Sequence, residues 1–498
     1  MVKYILAIDQ GTTGNRAVIY DKNGTEKASA YQEYRQYFPR PGWVEHNPKE
    51  IWKGVNYVIQ KALAKIPYGS IAAIGISNQR ETTIVWDKNT GKPVYNAIVW
   101  QCRRTSKRCD ELKQKKGSAN FFRKRTGLPI DAYFSATKIE WILDNVPGVY
   151  RRAKSGTLLF GTPDTWVLWK MTGGATHATD YTNASRTMLF NIEKLKWDRD
   201  ILRKFHVPIQ MLPQVLPSSG VFGRTVKIGR LPAGIPIAGI AGDQQAALFG
   251  QTCFDPGNMK NTYGTGSFVL INAGQKRPFS TQGLVVTLGC GPSGEPVYII
   301  EGSIFVSGSA VQWLRDGIRI IPNAADSEKM AKSLKSNEGV YFVPAMVGLG
   351  APYWDQYARG SIYGLTRGIN RCHFVRAALE AMCYQTMDVL LAMKKDYGHR
   401  IKEIRVDGKA SENNFVCQFQ ADILDINVVR PKIIETTSLG AAYLAGLAVG
   451  YWKDTDEIKK CWKKDRTFKP RMPRKLAKTY YAQWKKAVKR TLSDYLSK

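Results

Sequence analysis

Tyr4-Ile5-Leu6-Ala7-Ile8-Asp9-Gln10-Gly11-Thr12-Thr13-Gly14-Asn15-Arg16 opens with an apolar run of strand type that ends in a carboxylate. A turn of Gly and Thr follows, and an Arg closes it. The next run, Ala17-Val18-Ile19-Tyr20, again has strand character, and Asn23-Gly24 is a hairpin signal. The stretch predicts a strand, a tight polar turn, a strand and a second turn. Small residues let backbone N–H groups approach phosphate oxygens, and a run of such groups forms an anion-binding concavity. Thr12 and Thr13 add hydroxyl donors, and Arg16 has the charge to neutralise phosphate. Asp9, at the strand end, has oxygens that suit Mg²⁺, held directly or through water. A plain β-hairpin with a polar turn has the same signature, so this stretch alone leaves both readings open.

The device recurs. Residues 235–250 form a strand that ends in Gly242 and Asp243 and then a helix, with Asp243 where an N-cap would sit. Asn261-Thr262-Tyr263-Gly264-Thr265-Gly266-Ser267-Phe268 is again strand, Gly/Thr/Ser turn and strand. The echo predicts two lobes of related architecture, residues 1–253 and 254–498, divided near Phe254-Asp255-Pro256-Gly257. Residues 306–314 start a helix with small residues. Residues 404–415 read as strand, polar turn and helix, whose N-terminus suits a phosphate or nucleoside. Between a buried strand at residues 71–77 and another through Trp86 lies Asn78-Gln79-Arg80-Glu81-Thr82-Thr83. Its Arg-Glu pair fits a salt bridge at a turn, and equally fits a small polyol, since Arg donates to hydroxyls and Glu accepts from them. No GxxxxGK[ST] and no protein-kinase HRD or DFG set occurs, which excludes those nucleotide sites.

A chain of 498 residues, 44% apolar and 23% charged, predicts a globular protein of two or three domains. The longest apolar stretch, residues 439–452, is too short to span a bilayer and reads as a buried helix. The N-terminus runs straight into a strand, so no signal peptide is expected. Eight Cys with no CxxC pair and no His at metal spacing predict reduced thiols and a cytoplasmic location. Lys plus Arg total 73 against 41 Asp plus Glu, a net +32 that favours anionic ligands. Because the basic residues are spread along the chain, they predict a solvated surface rather than a nucleic-acid interface. The densest basic region, residues 453–498, reads as a capping helix.

Taken together, Asp9-Gln10-Gly11-Thr12-Thr13, Pro41-Gly42-Trp43-Val44-Glu45-His46, Ser77-Asn78-Gln79-Arg80-Glu81-Thr82-Thr83, Trp100-Gln101-Cys102-Arg103-Arg104, Ala241-Gly242-Asp243-Gln244-Gln245 and Gly348-Leu349-Gly350-Ala351-Pro352-Tyr353-Trp354-Asp355 resemble the FGGY carbohydrate kinase family over nearly the whole chain. The resemblance implies an α/β fold of two actin/hexokinase-like (ribonuclease H-like) lobes around a central cleft. It implies ATP-dependent phosphorylation of glycerol to sn-glycerol 3-phosphate in glycerol catabolism, with Mg²⁺, because the Asn78 and Trp100 stretches look like those of members acting on glycerol. By the family pattern Arg80, Glu81, Tyr133 and Asp243 hold the acceptor hydroxyls, Gln244 stands beside them, and Trp100 and Phe268 pack on its carbons. Asp243 is the general base. Thr12, Thr13, Gly14, Arg16, Thr265, Gly266, Gly308, Gln312, Gly408, Lys409 and Asn413 line the nucleotide site, and Asp9 sits by Mg²⁺. Relatives form homodimers and homotetramers. Lys409 departs from the pattern, which has a second Gly there; a backbone with φ > 0 would strain it, and its ammonium would then be available to nucleotide phosphates. Residues 226–233 lack the family's Gly-rich, Arg-bearing loop and any His, which argues against feedback by fructose 1,6-bisphosphate and control by histidine phosphorylation. Two other readings stay open: a kinase of another small polyol or ketose, and a turnover-deficient basic relative that binds nucleic acid. The intact Asp9, Arg80, Glu81 and Asp243 speak against the latter.

Overall fold

The computed structural model describes residues 3–493. Its first part contains β1 (Tyr4–Gln10), β2 (Gly14–Tyr20), β3 (Glu26–Glu33), α1 (Pro48–Leu63), β4 (Ile71–Asn78), α2 (Ser135–Asn145), β5 (Ser219–Arg224), β6 (Pro236–Gly242) and α3 (Asp243–Gly250). The strands form one mixed sheet in the order β5-β6-β4-β1-β2-β3. β1 is parallel to β4 and antiparallel to β2, and β4 is parallel to β6. β1 reads as an unbroken apolar run because both its faces are covered. Leu6 and Ile8 enter one core with Ile51, Val55, Val58 and Ile59 of α1, while Ile5 and Ala7 enter another. Asn47 caps α1 as the sequence predicts, its side chain accepting from the Lys49 amide at 2.9 Å.

The second part contains β7 (Met259–Tyr263), β8 (Ser267–Gly274), β9 (Val285–Cys290), β10 (Pro296–Ile304), α4 (Gly308–Gln312), β11 (Glu403–Asp407), α5 (Asn414–Leu424), β12 (Asn427–Pro431), α6 (Thr436–Ala448) and β13 (Lys464–Phe468). Its sheet runs β9-β10-β8-β7-β11-β12-β13. The first strand again lies inside the sheet, with an antiparallel hairpin partner on one side and a parallel strand on the other. The echo read between Gly11 and Gly264 is thus an echo of whole sheets.

α6 follows a strand of the second sheet but lays Leu439, Ala442, Tyr443, Leu444 and Ala445 against Ile5, Ala7 and Ala238 of the first. It also crosses α3 so closely that a Cβ on Gly440 would collide with the Ala246 carbonyl oxygen. This Ala- and Gly-rich helix, read from sequence as simply buried, packs on the first sheet and on α3 although it follows a strand of the second sheet. The basic tail differs from its expectation in one respect. Besides the helix Arg474–Thr491 it supplies β13 at the sheet edge, a strand hidden in Lys464-Asp465-Arg466-Thr467-Phe468 because only Phe468 is buried. Residues 494–498 of that tail lie outside the described residues. No helix among the described residues is long and apolar enough to cross a membrane.

Candidate active site

Three adjacent parallel strands, β1, β4 and β6, deliver their carboxyl ends to one edge of the first sheet, the position at which open α/β sheets bind ligands. Register places Asp9 of β1 opposite Ser77 of β4 and Arg16 of β2. Asn78 at the end of β4 pairs with Gly242 at the end of β6, so Arg80 and Glu81 emerge beside Asp243. Gly242, and not Asp243, is the N-cap residue of α3; Asp243 is its first helical residue, with its Oδ1 accepting from the Gln244 amide at 2.7 Å. The N-cap role that would make Asp243 merely structural is thus taken by its neighbour.

Arg80 is the hub. Its guanidinium donates to both Glu301 oxygens, at 2.6 and 2.9 Å, and to Gln245 Oε1 at 3.1 Å, while its Nε lies 3.2 Å from Asp243 Oδ1. Arg186 donates to Glu81 Oε1 at 2.5 Å and approaches Glu301 at 3.3 Å. Burial alone would raise Glu301, but the two guanidiniums hold it down at about 2. Glu81 goes the other way, raised by burial against the pull of Arg186 and Arg80. Glu81 also has a left-handed backbone, φ 60°, a strained choice for a side chain of this kind and one found where geometry serves function.

An aromatic wall stands over these charges. Trp100 packs edge-on to Tyr133 with centroids 5.5 Å apart and faces Phe268 at 6.4 Å, and the Arg80 guanidinium lies 5.6 Å from the Phe268 ring centre. The wall is fixed from behind. Buried Lys138 on α2 donates to the carbonyls of Ala132, Tyr133 and Phe134 at 2.5, 2.7 and 3.0 Å, and the Tyr133 amide donates to Asp131 at 2.8 Å. Burial pulls the Lys138 ammonium down to about 8. Lys138→Met leaves three carbonyls without their donor and is expected to cost about 1–3 kcal/mol of unfolding free energy. The same variant should raise the acceptor KM through a displaced Tyr133, read by thermal unfolding and steady-state kinetics.

Two turns face the cleft with the same hydrogen-bond economy. In Gly11–Thr13 the Gly11 amide donates to Gly14 O at 2.9 Å, and all three carbonyls of the turn accept bonds from the lobe. In the turn after β7 the Gly264 amide donates to Gly266 O at 2.9 Å, and Thr265 O accepts from the amides of Ser307 and Ser309. The Thr12, Thr13 and Thr265 amides have no acceptor among the described residues. Between the lobes lies a cavity of about 780 Å³ lined by Thr12, Thr13, Trp100 and Arg103 on one side and Thr265, Val347 and Tyr357 on the other.

Gly308 lies against the second turn, its amide donating to Gly264 O at 3.0 Å, and Gln312 is exposed at the end of the same short helix. Gly14 and Gly266 flank the turns. Arg16 is engaged across the lobes by Glu435 at 2.8 Å. Gly408, φ 79°, takes the left-handed conformation and backs onto the Tyr263 carbonyl. Lys409 is relieved of that demand: it starts a 3₁₀ turn, and its exposed ammonium pairs with Glu412 at 2.8 Å. Asn413 caps α5, its Oδ1 accepting from Phe415 and Val416 amides at 3.0 and 3.2 Å. Gln244 turns to Lys260, which donates to it at 2.6 Å, so that Gln245 is the glutamine facing Arg80.

Four residues of this centre escape the sequence reading: Glu301, Arg186, Gln245 and Lys260. Glu301 leaves a trace, a lone carboxylate inside the apolar run Tyr298-Ile299-Ile300-Glu301. Asp9 is half-buried, accepts from Ser77 Oγ at 2.9 Å, and is pushed up to about 7, chiefly by desolvation and further by nearby Asp243 and Glu435. That surplus of negative charge suits a divalent cation. No group of three or more His, Cys, Asp or Glu side chains among the described residues is placed to hold a metal alone.

The N-terminal domain of the FGGY family of carbohydrate kinases matches residues 4–250, and the C-terminal domain of the same family matches residues 259–449. Over 99% of both chains, the sequence is 59% identical to a protein of Thermotoga maritima named glycerol kinase 2 and 58% identical to a glycerol kinase of Caldanaerobacter subterraneus. The crystal structure of Plasmodium falciparum glycerol kinase with ADP superposes with a TM-score of 0.89 at 38% identity, covering 99% of this chain and 98% of that one.

Proposed function

The chain belongs to the FGGY family of carbohydrate kinases, and from that premise we infer that it transfers the γ-phosphoryl group of ATP to glycerol, giving sn-glycerol 3-phosphate and ADP. We divide it at residues 253 and 254 into an acceptor- and phosphate-binding lobe and a nucleotide-binding lobe. The observation that carries the assignment of groups is the meeting of Arg80, Glu81 and Asp243 at the carboxyl ends of neighbouring strands, below two turns with free amides.

Glycerol is small and fully hydroxylated. The charges of Arg80 and Glu81, with the Tyr133 hydroxyl, bind its oxygens, and the edges of Trp100 and Phe268 bind its carbons. Asp243 takes the proton from the terminal hydroxyl as its oxygen bonds to the γ-phosphorus. The bond from that phosphorus to the bridging oxygen breaks, and ADP leaves with the electron pair. Arg80 Nε, 3.2 Å from Asp243 Oδ1, keeps the base in place. The amides and hydroxyls of Thr12, Thr13 and Thr265 receive the phosphate oxygens, so catalysis is mostly positioning and electrostatics. Asp9 and Asp243 are the residues that would hold Mg²⁺, and the ion would neutralise charge on the phosphates. Gly308, Gln312, Gly408, Lys409 and Asn413 form the adenosine side, in which Gly408 and Asn413 shape the backbone while Lys409 contributes through its charge.

The test is ADP release with Mg-ATP and a panel of glycerol, erythritol, xylulose and no acceptor. Glycerol is expected to turn over and xylulose to be rejected, because a longer chain is expected to collide with the Trp100–Phe268 pair, whose centroids lie 6.4 Å apart. Faster turnover with xylulose would assign the site to a ketose.

A further inference from the structure

Resting on the reading of Gly11–Thr13 as a phosphate clamp, we propose that Tyr34, Gln36 and His46 are positioning residues for phosphoryl transfer, which hold the carbonyl side of that turn so that its amides stay aimed into the cleft. Gly11 O accepts from Tyr34 OH at 2.5 Å, from Gln10 Nε2 at 2.9 Å and from Gln79 Nε2 at 3.3 Å. Thr12 O accepts from Gln36 Nε2 at 2.9 Å, and Thr13 O from the Tyr34 amide at 3.2 Å. A trans peptide is a rigid plane with its oxygen and hydrogen on opposite sides. Anchoring Gly11 O therefore aims the Thr12 N–H away from the lobe, and anchoring Thr12 O does the same for the Thr13 N–H. Those are the two amides of this turn that have no acceptor among the described residues.

His46 fixes which way Gln36 faces. It is fully buried, and its Nε2 lies 2.6 Å from Gln36 Oε1. Since an amide oxygen only accepts, Nε2 carries the proton and the Gln36 NH₂ group is left for Thr12 O. His46 Nδ1 is then an acceptor with Gln79 Nε2 at 3.3 Å as the donor in reach, since the single Tyr34 proton goes to Gly11 O. The network also touches the acceptor wall. Thr82 Oγ donates to Gln79 Oε1 at 2.9 Å and accepts from the Trp100 amide at 3.3 Å, while Trp100 Nε1 donates to Thr12 Oγ1 at 2.9 Å. One connected set of buried and half-buried polar groups thus sets both the phosphate turn and the ring that packs on the acceptor.

The experiment uses the full chain and four variants: Gln36→Glu, which puts an acceptor against Thr12 O, Gln36→Ala, His46→Leu, and His46→Gln, whose amide nitrogen can replace Nε2–H. In Gln36→Glu, Gln36→Ala and His46→Leu, kcat with glycerol is expected to fall by roughly 10²-fold, the loss typical of a reacting group displaced by about an ångström. Glycerol KM and the inhibition constant of adenosine, which has no phosphate, are expected to stay at wild-type values. His46→Gln should recover most of kcat. Wild-type kcat per folded enzyme in Gln36→Glu and His46→Leu, with or without a lower melting temperature, overturns the proposal, as does a rise in glycerol KM at unchanged kcat. A wild-type enzyme inactive on glycerol would overturn the functional reading instead.

Discussion

Asp243→Asn is expected to slow glycerol-dependent ADP release by roughly 10²–10⁴-fold, the usual contribution of a positioned general base, while leaving glycerol and nucleotide bound. The substitution keeps shape while removing both the proton affinity and the negative charge that faces Arg80 Nε at 3.2 Å. Asparagine retains an oxygen for the Gln244 amide, which Asp243 Oδ1 engages at 2.7 Å, and that oxygen can still face Arg80 Nε. Arg80 does not depend on Asp243 for burial, because Glu301 grips it with two hydrogen bonds. The fold should therefore survive, and the melting temperature serves as the control. Coupled ADP release at saturating glycerol and ATP measures the chemical step, and titration calorimetry with glycerol measures the ground state. A variant that turns over within tenfold of wild type would move the proton to a phosphate oxygen and reduce Asp243 to a hydroxyl acceptor.

The residues that carry this prediction were visible in the sequence because each lies at or just past the end of a strand, in a run of small and polar residues. Asp9, Arg80 and Asp243 all follow apolar stretches, and a charge at that point has few roles in a sheet protein beyond a turn or a site. The doubled architecture was legible for the same reason, since Gly11–Thr13 and Gly264–Gly266 repeat one local pattern. What escaped was whatever depends on contacts far apart in the chain. Glu301 meets Arg80 across 221 residues, and no local pattern in β10 names its partner. Arg186 lies in a polar stretch that reads as an ordinary loop. β13 was missed because an edge strand buries little, so its charged residues resemble a solvated tail. At Lys409 the condition for strain is not met: the positive φ falls one residue earlier, on Gly408, where the Tyr263 carbonyl leaves no room for a Cβ.

Glu301→Gln is expected to lower the unfolding free energy by about 3–5 kcal/mol, because it strips a buried charge from two buried partners. Arg80 and Arg186 are both inside the protein, with Glu301 at 0% exposure between them. Glutamine can accept one hydrogen bond but carries no charge, so Glu81 and the half-exposed Asp243 would face two guanidiniums. The effect has a pH signature whose sign follows from the direction of the shift. Glu301 is held at about 2 in the folded protein, below its ordinary 4.5. Its stabilisation is therefore complete above about 4.5 and is lost as pH falls from there toward about 2. Glu81 is raised, so its ionised form costs stability near neutrality and that cost is recovered on acidification. The variant should retain the Glu81 contribution and lose the acid-labile one, so the gap between wild type and variant should narrow below about pH 4.5 in denaturant unfolding followed by fluorescence. Function should fail with stability. Glu301 belongs to β10 in the second sheet and Arg80 follows β4 of the first, so this bidentate contact ties the two together and, on the proposed function, holds the guanidinium toward the acceptor. Glycerol KM is expected to rise in the variant even at temperatures where it stays folded. A variant as stable as wild type at pH 7 would mean that solvent reaches the cluster, and that Arg80 is held by Gln245 and Asp243 alone.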